Sequence, residues 1–173
     1  MNNYINKFFI TFLIISLIPT KSFGLIEVDI TRGNLNPLPL AVSPLSIEEK
    51  SRKSFQELIK KENIGIEISS IVENNLRTSG LFNPLNKDAF LQSPDIANLK
   101  PRFEDWNLIK AQALITGKVS YTDEKLRVEF RLWDVLAGKE MMALAFTTVP
   151  SNWRRVGHII SDQVYERLTG EEG

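Results

Sequence analysis

The chain has 173 residues, 43% of them apolar, with 21 basic and 21 acidic side chains and no cysteine. A chain of this length can bury one ordinary core, and its composition points neither to disorder nor to a fibrous repeat. Without cysteine there are no disulfides, thiolate metal sites or thiol nucleophiles.

Residues 2–7 are polar with one lysine, Phe8 to Ile18 is almost unbroken aliphatic and aromatic, and Pro19 breaks the run. Ser22 and Gly24 then place small residues three and one before a cut. This pattern is a secretory signal peptide over 1–24, cleaved between Gly24 and Leu25. As a helix the apolar run would cross only about half of a ~30 Å hydrocarbon core, so no stable membrane insertion is expected after cleavage. Losing Lys7 and Lys21 leaves 19 basic residues against 21 acidic, a mature charge near −2. Such a balance gives no electrostatic reason to seek nucleic acid.

Leu25-Ile26-Glu27-Val28-Asp29-Ile30-Thr31-Arg32 alternates apolar and polar residues and then meets Gly33, Asn34, Pro37 and Pro39. It fits either an edge strand of the chain's own sheet or a mobile arm that becomes a strand on a partner. Leu38 to Pro44 reads as a core strand with its prolines confined to the ends. Ser46, with Glu48 and Glu49 after it, is expected to open a charged, peripheral helix reaching Asn63, with Phe55, Leu58 and Ile59 as a thin apolar stripe.

Ile64, Ile68, Ile71, Val72 and Leu76 have the spacing of one buried helix face, and Gly80 stands where a left-handed cap belongs. Leu81 to Leu85 reads as a short extended piece and Asn86 or Lys87 to Leu91 as a single helical turn. A loop is expected from Ser93 to Pro101, then a short helix from Glu104 to Lys110, with Trp106 and Ile109, that feeds directly into the strands after it.

From Ala111 to Val149 three alternating runs predict an antiparallel meander. Ala113, Ile115, Val119 and Tyr121, then Leu126, Val128, Phe130 and Leu132, then Met142, Leu144 and Phe146 form one apolar face. Thr122 to Lys125 and Ala137-Gly138 supply the reversals. The phase slips at Trp133-Asp134-Val135, which calls for a bulge or for burial of both faces. A last helix has Ser151 or Asn152 as cap, Trp153, Val156, Ile160, Val164 and Leu168 as buried stripe, and Thr169-Gly170 at its end. The fold class is therefore α/β of the α+β type: a mixed sheet with a three-stranded antiparallel meander packed against two main helices.

No catalytic constellation is legible. His158 is the sole histidine and sits inside a helix, so no metal triad can be assembled from histidine and cysteine. Gly117-Lys118 lies in a strand rather than in a phosphate-binding loop, and the acids are scattered. Trp153-Arg154-Arg155 is the one aromatic and basic cluster; two arginines in a first helical turn oppose the helix dipole and hint at a partner.

Five stretches carry a family resemblance: VDITRGNLNPLPLAV, LRTSGLFNPL, PRFEDWNLIKAQALITGKV, LRVEFRLWDVLAGKE and NWRRVGHIISDQVYERLTGEEG. In this order they resemble the TolB family, periplasmic components of the Tol-Pal envelope system. The segment from Ser46 to Asn63 departs from the family pattern and looks like an insertion.

The resemblance implies an N-terminal α/β domain followed by a six-bladed propeller, of which this chain holds the first, as an arm over 25–36 and a domain over 37–173. It implies a non-catalytic periplasmic adaptor without cofactor, serving outer-membrane constriction during division and envelope integrity. It shifts the weight on Leu25, Ile26, Glu27, Val28, Asp29, Ile30 and Thr31 toward an arm that binds the C-terminal domain of TolA. Contact with Pal, which the family makes through the propeller, is not expected here. The rivals are a nucleic-acid module of the anticodon-binding type, a truncated fragment without function, and a small periplasmic hydrolase.

Overall fold

The computed structural model describes residues 26, 36–61 and 63–172. Its centre is a six-stranded mixed sheet in the order β3-β1-β4-β5-β6, with the short β2 paired to the far half of β4. The strands are β1 (Leu38–Val42), β2 (Ser46–Ile47), β3 (Phe82–Pro84), β4 (Ala113–Thr122), β5 (Lys125–Asp134) and β6 (Lys139–Thr148). β1 runs parallel to both β3 and β4, with Leu40 opposite Ala113 and Val42 opposite Ile115. β4, β5 and β6 follow one another antiparallel.

The turn between β4 and β5 holds Asp123 at φ 51° and Glu124 at φ 60°. Two left-handed central residues suit the right-handed twist of a tight hairpin, although neither is a glycine. Tertiary pairing of ten residues on each side holds a turn that its own sequence favours only weakly.

The helices are α1 (Arg52–Ile59), α2 (Ile64–Thr78), α3 (Pro94–Leu99), α4 (Phe103–Leu108) and α5 (Trp153–Thr169). α2 and α5 cover one face of the sheet. Their stripes Ile64, Ile68, Val72 and Leu76, and Trp153, Val156, Ile160, Val164 and Leu168, are buried against Ile115, Val119, Leu126, Val128, Phe130 and Leu132. A Cβ on Gly157 would lie 2.9 Å from Ile71 Cγ2, so the absence of a side chain there sets how closely α2 and α5 approach. Asn63 caps α2 by accepting from Ile66 N at 3.1 Å, and Gly80 and Gly170 take positive φ just past the two long helices.

On the opposite face α3 and α4 enclose a smaller core of Ala41, Ala97, Trp106, Ala111, Leu114 and Val135. The phase slip in β5 has both of its expected causes. The register shifts between Leu132, opposite Met142, and Trp133, opposite Glu140, leaving Met141 as the extra residue on β6. Both faces are also occupied, since Trp133 packs edge-on against Phe103 and donates to Thr116 Oγ1 at 2.9 Å, while Asp134 and Val135 are buried.

Four expectations need correction. Ser46 does not open a helix: Ser46 and Ile47 pair in parallel with Lys118 and Val119, a 3₁₀ turn spans Glu49–Ser51, and the helix starts at Arg52. Ser46 Oγ donates to Gly117 O at 3.2 Å, a long-range partner that local propensity does not contain. α1 ends where Lys60 takes φ 57°, and of its expected stripe Phe55 is buried but Leu58 is exposed. The expected loop from Ser93 to Pro101 contains α3, whose proline first turn and Asp95 are start signals, with Ala97 buried below. α5 receives no side-chain cap from Ser151 or Asn152; the chain enters it through a 3₁₀ turn, and Asn152 Nδ2 donates to Thr148 Oγ1 instead.

Candidate functional site: the seat of Ile26 on Asp134

Of the residues expected to form the partner-binding arm, Ile26 is described. Leu25, Glu27, Val28, Asp29, Ile30 and Thr31, and the expected cleavage at Gly24, lie outside the described residues. Ile26 is joined to the folded domain: its N–H donates to Asp134 Oδ2 at 3.2 Å, and its half-buried side chain packs against the main core.

The receiving group is built by the end of β5. Asp134 is 1% exposed, and its other oxygen, Oδ1, accepts from Ala137 N at 2.8 Å, so one carboxylate closes the β5–β6 turn and holds Ile26. A buried carboxylate needs donors for its oxygens, and here backbone N–H groups supply them. An aspartate three residues before a backbone donor at a turn is a recognisable turn signal. Its second partner, 108 residues away, is not.

Other polar groups link one element of the fold to another. His158 Nδ1 lies 2.8 Å from Asn75 Nδ2, which also donates to Ser161 Oγ, tying α2 to α5. Beside this link a cleft of about 420 Å³ is lined by Asn75, Leu76, Ser161, Asp162 and Tyr165, among others. Glu73 joins Arg77 at 2.5 Å and Lys87 at 2.8 Å. Burial pushes its carboxyl up, but the hydrogen bonds and charges of Lys87 and Arg77 outweigh that and hold it below its ordinary value. Of the expected basic and aromatic cluster, Arg154 lies over the Trp153 ring at 4.3 Å. Among the described residues no group of three histidines or acids is placed to hold a metal ion, and no helix is long and apolar enough to cross a membrane.

A mixed sheet with two long helices on one face, short ones on the other and Ile26 tied to the end of β5 defines a class of small α/β domain. The family model described as the TolB amino-terminal domain matches residues 26–141. The chain belongs to that family. The Tol-Pal system protein TolB of Pelagibacter ubique (strain HTCC1062) is 78% identical over 162 residues, a match covering 94% of this chain and 36% of the relative. The chain thus spans about a third of the length of the curated relative it matches.

Among solved structures, TolB from Acinetobacter baumannii superposes with a TM-score of 0.62 at 21% identity, covering 86% of this chain and 32% of that one. The hypothetical protein CT253 from Chlamydia trachomatis gives 0.53 at 11% identity, covering 78% and 99%. At these identities the likeness is one of fold.

Proposed function

We propose that this chain acts in the periplasm as a non-catalytic adaptor of the Tol-Pal system, in outer-membrane constriction and envelope integrity. In this reading Gly24–Leu25 is the cleavage site, residues 25–36 are the arm and 37–173 the domain that carries it. The observation that carries the reading is the 78% identity to a Tol-Pal system protein over nearly the whole chain. The link between Ile26 and Asp134 holds the outer end of that arm against the domain, so in this reading strand addition requires its release.

The arm adds to the C-terminal domain of TolA as a strand, its backbone supplying ladder hydrogen bonds and Ile26, Val28 and Ile30 one apolar face.

Calorimetric titration of the TolA C-terminal domain tests the arm. Val28→Pro should weaken binding far more than Val28→Ala, because proline removes a ladder donor as well as the valine side chain. Asp29→Ala should matter less than either. Circular dichroism checks that the domain remains folded, and equal binding by the proline variant and the parent would rule out strand addition.

A further inference from the structure

β6 pairs with β5 on one side, and among the described residues no strand pairs with its other side. Edge strands are ordinarily blunted by charges, prolines or bulges along their length. β6 has its bulge and its charges, Lys139 and Glu140, at the start only; from Met141 to Thr148 it reads MMALAFTT.

The two faces of this edge differ. Toward the long helices, Met142, Leu144 and Phe146 stand opposite Leu132, Phe130 and Val128, and Phe146 stacks on Phe130. The cover is incomplete, since Leu144 is 37% exposed. A groove of about 300 Å³ runs between β6 and α5, with Phe146, Val156 and Ile159 in its lining and Arg155 beside them.

On the other face Ala143, Ala145 and Thr147 are exposed and stand opposite Arg131, Glu129 and Arg127. Glu129 also faces Lys118 across β4, so one carboxylate is set among three cations. Its hydrogen bond from Arg127, at 2.9 Å, chiefly holds it below the usual carboxylate range, with Lys118 and Arg131 adding to the effect. Glu140 answers part of this charge through Arg131 at 3.3 Å. The surface thus keeps an excess of cations over small alanines that leave room above the sheet.

We propose that the outer edge of β6 accepts an extended segment of another protein, apolar at alternate residues and acidic at the residues between. Its apolar side chains would complete the half-covered row of Leu144 and Phe146 and fill the groove against Ile159. Its carboxylates would pass over Ala143 and Ala145 to Arg131 and Arg127. A second copy of the chain suits this edge less, because β6 from Met141 to Thr148 has no acidic residue to offer Arg127 and Arg131.

Amide NMR of the labelled chain, titrated with two short synthetic peptides, tests this. Both alternate isoleucine with a charged residue, glutamate in one and lysine in the other. The glutamate peptide should shift the amides of residues 139–148 and bind roughly tenfold more tightly than the lysine peptide, the size that two or three exposed ion pairs supply. Its advantage should fall with salt. Ala145→Glu, at an exposed position, should reverse the preference; should that variant lose its dispersed spectrum, Ala143→Glu makes the same test.

Equal affinity for both peptides, or shifts that avoid β6, would overturn the proposal. So would line broadening at β6 that depends on chain concentration without peptide, which would assign the edge to a second copy. Shifts at β6 caused by Val28→Pro alone would assign it to the chain's own arm and overturn it equally.

Discussion

The two faces of the sheet are built on different principles. On one, two long helices with regular stripes meet alternating strands, and Leu126, Val128, Phe130 and Leu132 are wholly buried. On the other, helices of six residues gather around Trp106, which meets Phe90 edge-on at 5.0 Å and shares its core with Leu114, Val135 and three alanines. Around that smaller core Leu99 remains 83% exposed and Leu108 71%. Trp106 is itself buried, yet its Nε1 has no hydrogen-bond partner. Repetition fills the first face, whereas a mixed set of rings and small side chains fills the second and leaves one donor unmet. Stability should therefore be concentrated on the side of α2 and α5.

The largest expected effect is at Phe130. Truncation to alanine removes a ring at the centre of the main core and should cost about 3 to 5 kcal/mol in equilibrium unfolding. A loss well under about 1 kcal/mol would mean that the long-helix face does not carry the fold.

Trp106 sharpens the contrast. Trp106→Phe loses packed volume but also removes the buried unpaired N–H, and the two effects oppose each other. A net cost of about 1 kcal/mol or less is expected, read by the same unfolding measurement. A cost above about 3 kcal/mol would show that Nε1 is satisfied and that the smaller core is as tightly specified as the larger.

The smallest effect is electrostatic. The folded-state value of Glu73 lies below its ordinary 4.5, so its contribution is present at pH above that value and is lost as pH falls through the folded-state value. Glu73→Gln should flatten this acid-side part of the stability profile and leave the rest of the profile parallel to that of the parent. An unchanged acid limb in urea midpoints taken across that range would show that the contacts with Arg77 and Lys87 do not couple α2 to the turn after β3.

The legible parts of the chain were those whose partners lie within a turn or two. The stripe from Ile64 to Leu76, that from Trp153 to Leu168, the alternation of β4 and β5, and the glycines past both long helices were all readable from periodicity and local backbone chemistry. So was the departure at Trp133 to Val135, although periodicity could not show that a bulge and double burial coexist there. The short α3 had start signals in Ser93-Pro94-Asp95 but too few turns to display a stripe. At the arm, alternation and family likeness marked the residues, but Asp134 was missed.

What the sequence determined by itself was therefore the set of long elements and the faces they bury, because hydrophobic period and backbone conformation are local properties. Tertiary structure decided the strand made by Ser46 and Ile47, the seat of Ile26 on Asp134, and the outer edge of β6, unpaired among the described residues. Each depends on which distant backbone group is, or is not, within hydrogen-bonding reach, and that distance is fixed only once the sheet has assembled.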